Sequence, residues 1–187
     1  IVAATYLCAA AAAGGDVLLR QADHRHLATV TTALQQAGCR IDCGQEDIRL
    51  RSEGRLQAVT PVRTAPYPGF PTDCQAIFMA ALLGSRGATV FVENIFESRY
   101  RHVAEMQRMG ADIRVEGRVA VVCGVERLHG ADVVAADLRG GAALVLAALQ
   151  AEGRSAVHHS EHIQRGYADL TGDLARLGAH IRQETNR

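Results

Sequence analysis

Three segments of this chain end alike, and that repetition restricts the fold more than any single motif does. Leu34-Gln-Gln-Ala-Gly-Cys-Arg-Ile41, Met106-Gln-Arg-Met-Gly-Ala-Asp-Ile113 and Leu174-Ala-Arg-Leu-Gly-Ala-His-Ile181 carry glycines at 38, 110 and 178, separated by 72 and 68 residues. Glycine in that place stops a helix and releases the chain into a strand. A second series agrees. Gly15, Gly87 and Gly153, separated by 72 and 66 residues, each close an apolar segment and precede a strand-like run: Val17–Arg20, Thr89–Glu93 and Ser155–His158. Each repeat therefore reads helix, strand, helix, strand, with a further strand before the next, and the boundaries fall near 1–63, 64–128 and 129–187.

The first helix of each repeat is predicted over Thr5–Ala13, Asp73–Leu83 and Arg139–Ala151. All three are apolar on nearly every side, the pattern of helices buried all round. With 48% apolar residues, 4% aromatics and no Trp, the core must be filled by Ala, Leu and Val. The second helices are one-sided. Leu27, Val30, Leu34 and Ala37 form a stripe before Gly38, and Tyr167, Leu170, Leu174 and Leu177 repeat it before Gly178. The middle copy has Arg99, His102, Met106 and Met109 at the matching places. Either its packed face shifts onto Tyr100 and Val103, or the two polar residues serve a function. Arg40–Cys43 with Asp47–Arg51, and Asp112–Val115 with Val119–Cys123, read as hairpins. The third repeat predicts a strand at Ala179–Gln183 whose hairpin partner is not in the sequence. At 187 residues the chain is expected to form one α/β domain: three repeats closing around three buried helices, with sheets and one-sided helices outside.

Thr64-Ala-Pro-Tyr-Pro-Gly-Phe-Pro-Thr-Asp73 interrupts this pattern. Its three prolines and glycine exclude an interior strand or helix, leaving a stiff loop that ends where a helix begins. Thr72 and Asp73 are candidate N-caps. Two readings stand on these residues: a rigid loop that places one catalytic acid, or a proline-stiffened loop with an ordinary cap. Arg139-Gly140-Gly141 and Arg165-Gly166 are also expected to open helices. There, free N–H groups, glycine access and a forked donor suit an anion. The plainer reading of each is a surface arginine before a helix.

The 20 basic residues are all arginines, since the sequence has no Lys, and 20 acidic residues balance them. Zero net charge argues against bulk nucleic-acid binding while leaving room for a local basic pocket. Five Cys at 8, 39, 43, 74 and 123 are odd in number, and no pair spacing repeats, so no disulfide framework is expected and the chain reads as cytoplasmic. Cys39 and Cys43 lack the second pair of a metal site. The apolar run Thr5–Ala13 is too short to cross a bilayer.

The 64–73 loop resembles that of the UDP-N-acetylglucosamine 1-carboxyvinyltransferase family, the enolpyruvyl transferases that open peptidoglycan synthesis. The resemblance continues, in the family's order, through Ile95-Phe-Glu-Ser-Arg99, Arg108-Met-Gly-Ala-Asp112, Gly124-Val-Glu-Arg-Leu128, Asp137-Leu-Arg139 and His162-Ile-Gln-Arg-Gly-Tyr167. It implies an inside-out α/β barrel domain of the enolpyruvyl transferase type, from the C-terminal half of the enzyme. The implied reaction transfers the enolpyruvyl group of phosphoenolpyruvate to the 3-hydroxyl of UDP-N-acetylglucosamine and releases phosphate.

The resemblance further implies Asp73 as general base and sugar-nucleotide ligand, with Thr72 beside it. Ile95 would contact the nucleotide sugar through its backbone, with Phe96 and Glu97 adjacent. Arg139 and Arg165 would hold phosphoenolpyruvate, Arg165 also acting in catalysis. No metal or other cofactor, no nucleic acid and no membrane is implied. The family's other domain, with its Cys-bearing lid, and an N-terminal segment with a Lys-Asn pair have no counterpart here. The expectation is half an active site, inactive alone, whose partner is the missing half.

The sequence departs from the family at Val2 (usually Glu), Ala4 (Gly), Ser98 (Asn) and Gln164 (Asp). Gly140-Gly141 replaces small residues and is expected to loosen that helix start. Two other readings compete: an enzyme like 5-enolpyruvylshikimate-3-phosphate synthase, or a non-catalytic domain that binds a ligand or partner.

Overall fold

The three apolar helices meet at the centre of the molecule. The computed structural model describes residues 1–184. The first repeat comprises α1 (Val2–Ala13), β1 (Asp16–Arg20), a 3-10 turn (His24–Leu27) running into α2 (Ala28–Gln36), β2 (Arg40–Cys43) and β3 (Asp47–Arg51). The second comprises β4 (Val62–Arg63), α3 (Thr72–Ala81), β5 (Ala88–Val92), α4 (Val103–Arg108), β6 (Asp112–Glu116) and β7 (Val119–Cys123). The third comprises β8 (Leu128–His129), β9 (Asp132–Val134), α5 (Leu138–Gln150), β10 (Ala151–Glu152), β11 (Ala156–His158), α6 (Glu161–Gln164) and α7 (Leu170–Arg176).

α1, α3 and α5 pack against one another in all three pairings. α3 is buried at every position from Cys74 to Ala81, and α5 from Gly140 to Ala147. The alanines of α1 let the helix axes approach closely, and Leu7, Ile77, Phe78, Met79, Leu144 and Leu146 on the three helices are fully buried. Fully burying a side chain of that size stabilises the fold by about 1.5–3 kcal/mol. The helix-stopping glycines 38, 110 and 178 have φ of 105°, 91° and 103°, a left-handed conformation that side chains resist.

The sheets lie outside this centre. β1, β3 and β2 form an antiparallel sheet in the order β1-β3-β2. The second repeat has the fullest sheet, β4-β5-β7-β6, with β4 parallel to β5 and the hairpin β6–β7 antiparallel on its other side. In the third repeat β11 pairs with β9 in parallel, as β5 does with β4, and β10 pairs with β8.

The strand expected at Ala179–Gln183 is not formed; residues 179–184 have no regular structure. A strand exists through its ladder, and among the described residues nothing takes the place that β3 and β7 hold in the other repeats. The outer stripe of the first repeat is buried throughout, whereas in the third Tyr167, Leu170 and Leu174 are buried and Leu177 is 55% exposed. In the middle repeat His102, Met106 and Met109 keep the stripe, Val103 is buried with them, and Arg99 turns away. No helix among the described residues is long and apolar enough to cross a membrane.

Candidate functional site

The loop from β4 to α3 is closed by its own backbone: Ala65 N–H donates to Phe70 O at 3.0 Å and Gly69 N–H to Pro66 O at 2.8 Å. Phe70 anchors it, its ring 5.6 Å from that of Phe78 in the core. Neither Thr72 nor Asp73 caps α3, contrary to the sequence expectation. The N-cap is Pro71, whose carbonyl accepts from Cys74 N–H at 2.9 Å. A backbone turn thus closes the helix start and leaves both side chains for other work.

Thr72 donates its hydroxyl to Glu93 Oε2 at 3.0 Å. Asp73 presents each carboxylate oxygen to a different arginine: Oδ1 accepts from Arg99 at 2.6 Å and Oδ2 from Arg139 at 3.4 Å. Side-chain exposures of 40% for Asp73, 25% for Arg99 and 18% for Arg139 place this triplet at a half-buried surface, where ion pairs are screened less than in open water.

Each arginine has an aromatic support. The Arg99 guanidinium lies 5.3 Å from the Phe96 ring centroid, and that of Arg139 lies 5.7 Å from the Tyr167 centroid. The Tyr167 hydroxyl is itself 2.8 Å from Thr5 Oγ1, tying the support to α1. Arg139 Nη1 is buried without a protein partner. Two guanidiniums facing one carboxylate leave a surplus positive charge, which with that spare donor suits an anion.

Arg139 follows the start of α5, where the Asp137 side chain accepts from Gly140 N–H at 2.7 Å. The glycine pair does not loosen this start, as had been expected from sequence. A Cβ on Gly141 would stand 2.8 Å from both Ala135 Cβ and Ile163 Cγ1, so glycine is what lets α6 close on α5. Arg165 does not open a helix either. It is the C-cap of α6, because Gly166 N–H turns back to Ile163 O at 3.1 Å and the next helix, α7, is capped by Asp169. Gly166 packs on Leu138, the residue before Arg139, which seats the Arg165 turn beside the α5 start. The Arg165 side chain is exposed and has no ion pair among the described residues. Ile95 is half-buried and Phe96 exposed at the edge of the site.

Arg99 closes the Ile95–Arg99 motif, but the sequence assigned it no role in the site. The signal was its place in the repeat, where the other copies carry Leu27 and Tyr167. His102, the other polar departure, is buried behind the site, and burial pushes its imidazole down to about 4, so it stays neutral. Burial likewise holds the Cys74 thiol, next to Asp73, up to about 11, which makes it a packing residue rather than a nucleophile.

Residues 1–174 match the EPSP synthase (3-phosphoshikimate 1-carboxyvinyltransferase) family. The UDP-N-acetylglucosamine 1-carboxyvinyltransferase of Zymomonas mobilis is 50% identical over 97% of this chain and 42% of its own length. That of Desulfofundulus thermocisternus is 49% identical over 97% of this chain and 74% of its own. The chain thus spans less than half the length of the Zymomonas relative. Among solved structures, the enolpyruvyl transferase NikO from Streptomyces tendae superposes with a TM-score of 0.86 at 28% identity, covering 97% of this chain and 43% of that one. EPSP synthase from Acinetobacter baumannii, at 19% identity and a TM-score of 0.74 over 98% of this chain and 46% of that one, shares the fold.

Proposed function

This chain belongs to the EPSP synthase family of carboxyvinyltransferases, and on that premise we propose that it provides one wall of a site that transfers the enolpyruvyl group of phosphoenolpyruvate to the 3-hydroxyl of UDP-N-acetylglucosamine. The observation that carries this reading is the Asp73 carboxylate held between Arg99 and Arg139. Without substrate, each guanidinium engages one oxygen of Asp73. Phosphoenolpyruvate brings a phosphate and a second carboxylate, each able to take a forked donor through two oxygens, and so offers the arginines other partners. An oxygen of Asp73 then accepts the proton of the sugar hydroxyl as its oxygen bonds to C2. C3 gains a proton in that addition from an acid of the complementary portion and gives it back as the C2–O bond to phosphate breaks, which restores the double bond and releases phosphate. Arg99 and Arg139, with Arg165 from the neighbouring turn, stabilise the charge on the departing phosphate. Thr72, Ile95 and Phe96 form the edge on which the sugar nucleotide rests.

The relatives near 50% identity carry the UDP-N-acetylglucosamine name, and this favours that acceptor over shikimate 3-phosphate. The partner of this wall is the portion of the Zymomonas relative that the chain does not span. The test is phosphate release from phosphoenolpyruvate with either acceptor, by the chain alone and by the chain mixed with that portion. Release with UDP-N-acetylglucosamine in the mixture alone is the expected outcome, since one wall cannot exclude water from the reacting groups. Release with shikimate 3-phosphate instead would transfer the chain to the other reading, and turnover by the chain alone would refute the one-wall account.

A further inference from the structure

Glu93 follows β5 and is only 1% exposed, yet among the described residues it has no ion pair. Its Oε1 accepts from Thr64 Oγ1 at 2.9 Å, Ile95 N–H at 2.8 Å and Phe96 N–H at 3.1 Å; its Oε2 accepts from Thr72 Oγ1 at 3.0 Å. Thr64 Oγ1 in turn accepts from Asn94 N–H at 2.8 Å. A buried carboxylate without a cation is a costly way to fill space, and an apolar side chain would pack there more cheaply. What a carboxylate does that few side chains can is gather four donors onto two oxygens.

The four donors belong to two segments. Thr64 and Thr72 bracket the proline loop that ends at Asp73. Ile95 and Phe96 start the turn that leads to Arg99, and Phe96 supports the Arg99 guanidinium. The Asp73–Arg99 ion pair spans the same gap as Glu93, one layer further out. We propose that Glu93 is a positioning residue: it fixes the 64–73 loop against the 94–97 turn and thereby sets both the Asp73–Arg99 pair and the edge for the sugar nucleotide. The effect on the sugar nucleotide rests on the function proposed above; the effect on the two segments does not.

Two conservative variants separate reach from charge. Glu93→Asp keeps the charge but is one methylene too short to hold both segments. Glu93→Gln keeps the reach; its amide oxygen still serves Thr64, Ile95 and Phe96, and the Thr72 hydroxyl need only turn to accept. Amide hydrogen exchange in the 187-residue chain reads the pin directly. In Glu93→Asp the Ile95 and Phe96 amides exchange about tenfold faster or more, while Val90 and Phe91 in β5 keep their protection. In Glu93→Gln the change at Ile95 and Phe96 is smaller. In the mixture with the complementary portion, Glu93→Asp raises KM for UDP-N-acetylglucosamine about tenfold, and Glu93→Gln recovers most of that loss. Unchanged exchange at Ile95 and Phe96 in Glu93→Asp, or a larger effect in Glu93→Gln than in Glu93→Asp, overturns the proposal. So does a Glu93→Asp defect confined to kcat. Should the unmodified mixture release no phosphate, the proposed function fails, and the exchange rates still decide the role of Glu93.

Discussion

His102 is an imidazole sealed between α4 and the start of α5, with Asp137 and Arg99 as the charged groups that bear on it. Burial pushes it down to about 4, below the ordinary value of about 6.5 that it regains on unfolding. Between those two values the unfolded chain binds a proton that the folded chain refuses. Stability from this residue is therefore complete above about pH 6.5 and is lost as the pH falls toward 4, by up to about 3 kcal/mol. Urea unfolding of the chain and of His102→Leu across this range should give a difference that follows that slope; parallel curves would mean that His102 takes up its proton as readily in the folded chain as in the unfolded one. At this scale the sequence was informative where a motif fixes a residue's place, as with Asp73 behind three prolines. It was silent on which groups Asp73 meets, because Arg99 lies 26 residues away and Arg139 lies 66 away and only tertiary packing joins them. Ser98, immediately before Arg99, has φ 52°, a left-handed conformation that no local pattern announced.

The elements that read most clearly were the three central helices, since a segment apolar on every side has no stable place except the interior. Hairpins were legible for a similar reason, with alternating residues around a glycine-containing turn. Helix caps were not. The Thr72 and Asp73 caps, the helix start at Arg165 and the loosening at Gly140-Gly141 were all misread because what closes each end is a backbone turn or a neighbouring element. The α5 start gives the sharpest check. Gly141→Ala forces a methyl group to within 2.8 Å of Ala135 and Ile163, which should cost about 1–3 kcal/mol of stability. A fall of the denaturant midpoint equivalent to that loss is expected, with Arg139 displaced alongside. A neutral or stabilising result would show that α6 is free to move away. The expected strand at Ala179–Gln183 failed for a different reason: local propensity suggests an extended chain, but only a partner makes it a strand.

Across the molecule, the candidate site lies on the seam between repeats. Asp73, Arg99 and Glu93 come from the second repeat, Arg139 and Tyr167 from the third, and Thr5 of the first holds the Tyr167 hydroxyl. The three-helix centre is what brings these ends together, so the same packing that stabilises the fold also sets the charge geometry. In the proposed reaction Asp73, clamped by two arginines, becomes the proton acceptor once an anionic substrate engages them. The most direct measurement is phosphate release from phosphoenolpyruvate and UDP-N-acetylglucosamine by the chain mixed with its complementary portion, with and without Asp73→Asn. The amide keeps the size of the carboxylate but cannot take the proton, so release should fall by about 100-fold or more while the two portions still associate. Release at an unchanged rate would contradict a proton-accepting role for Asp73.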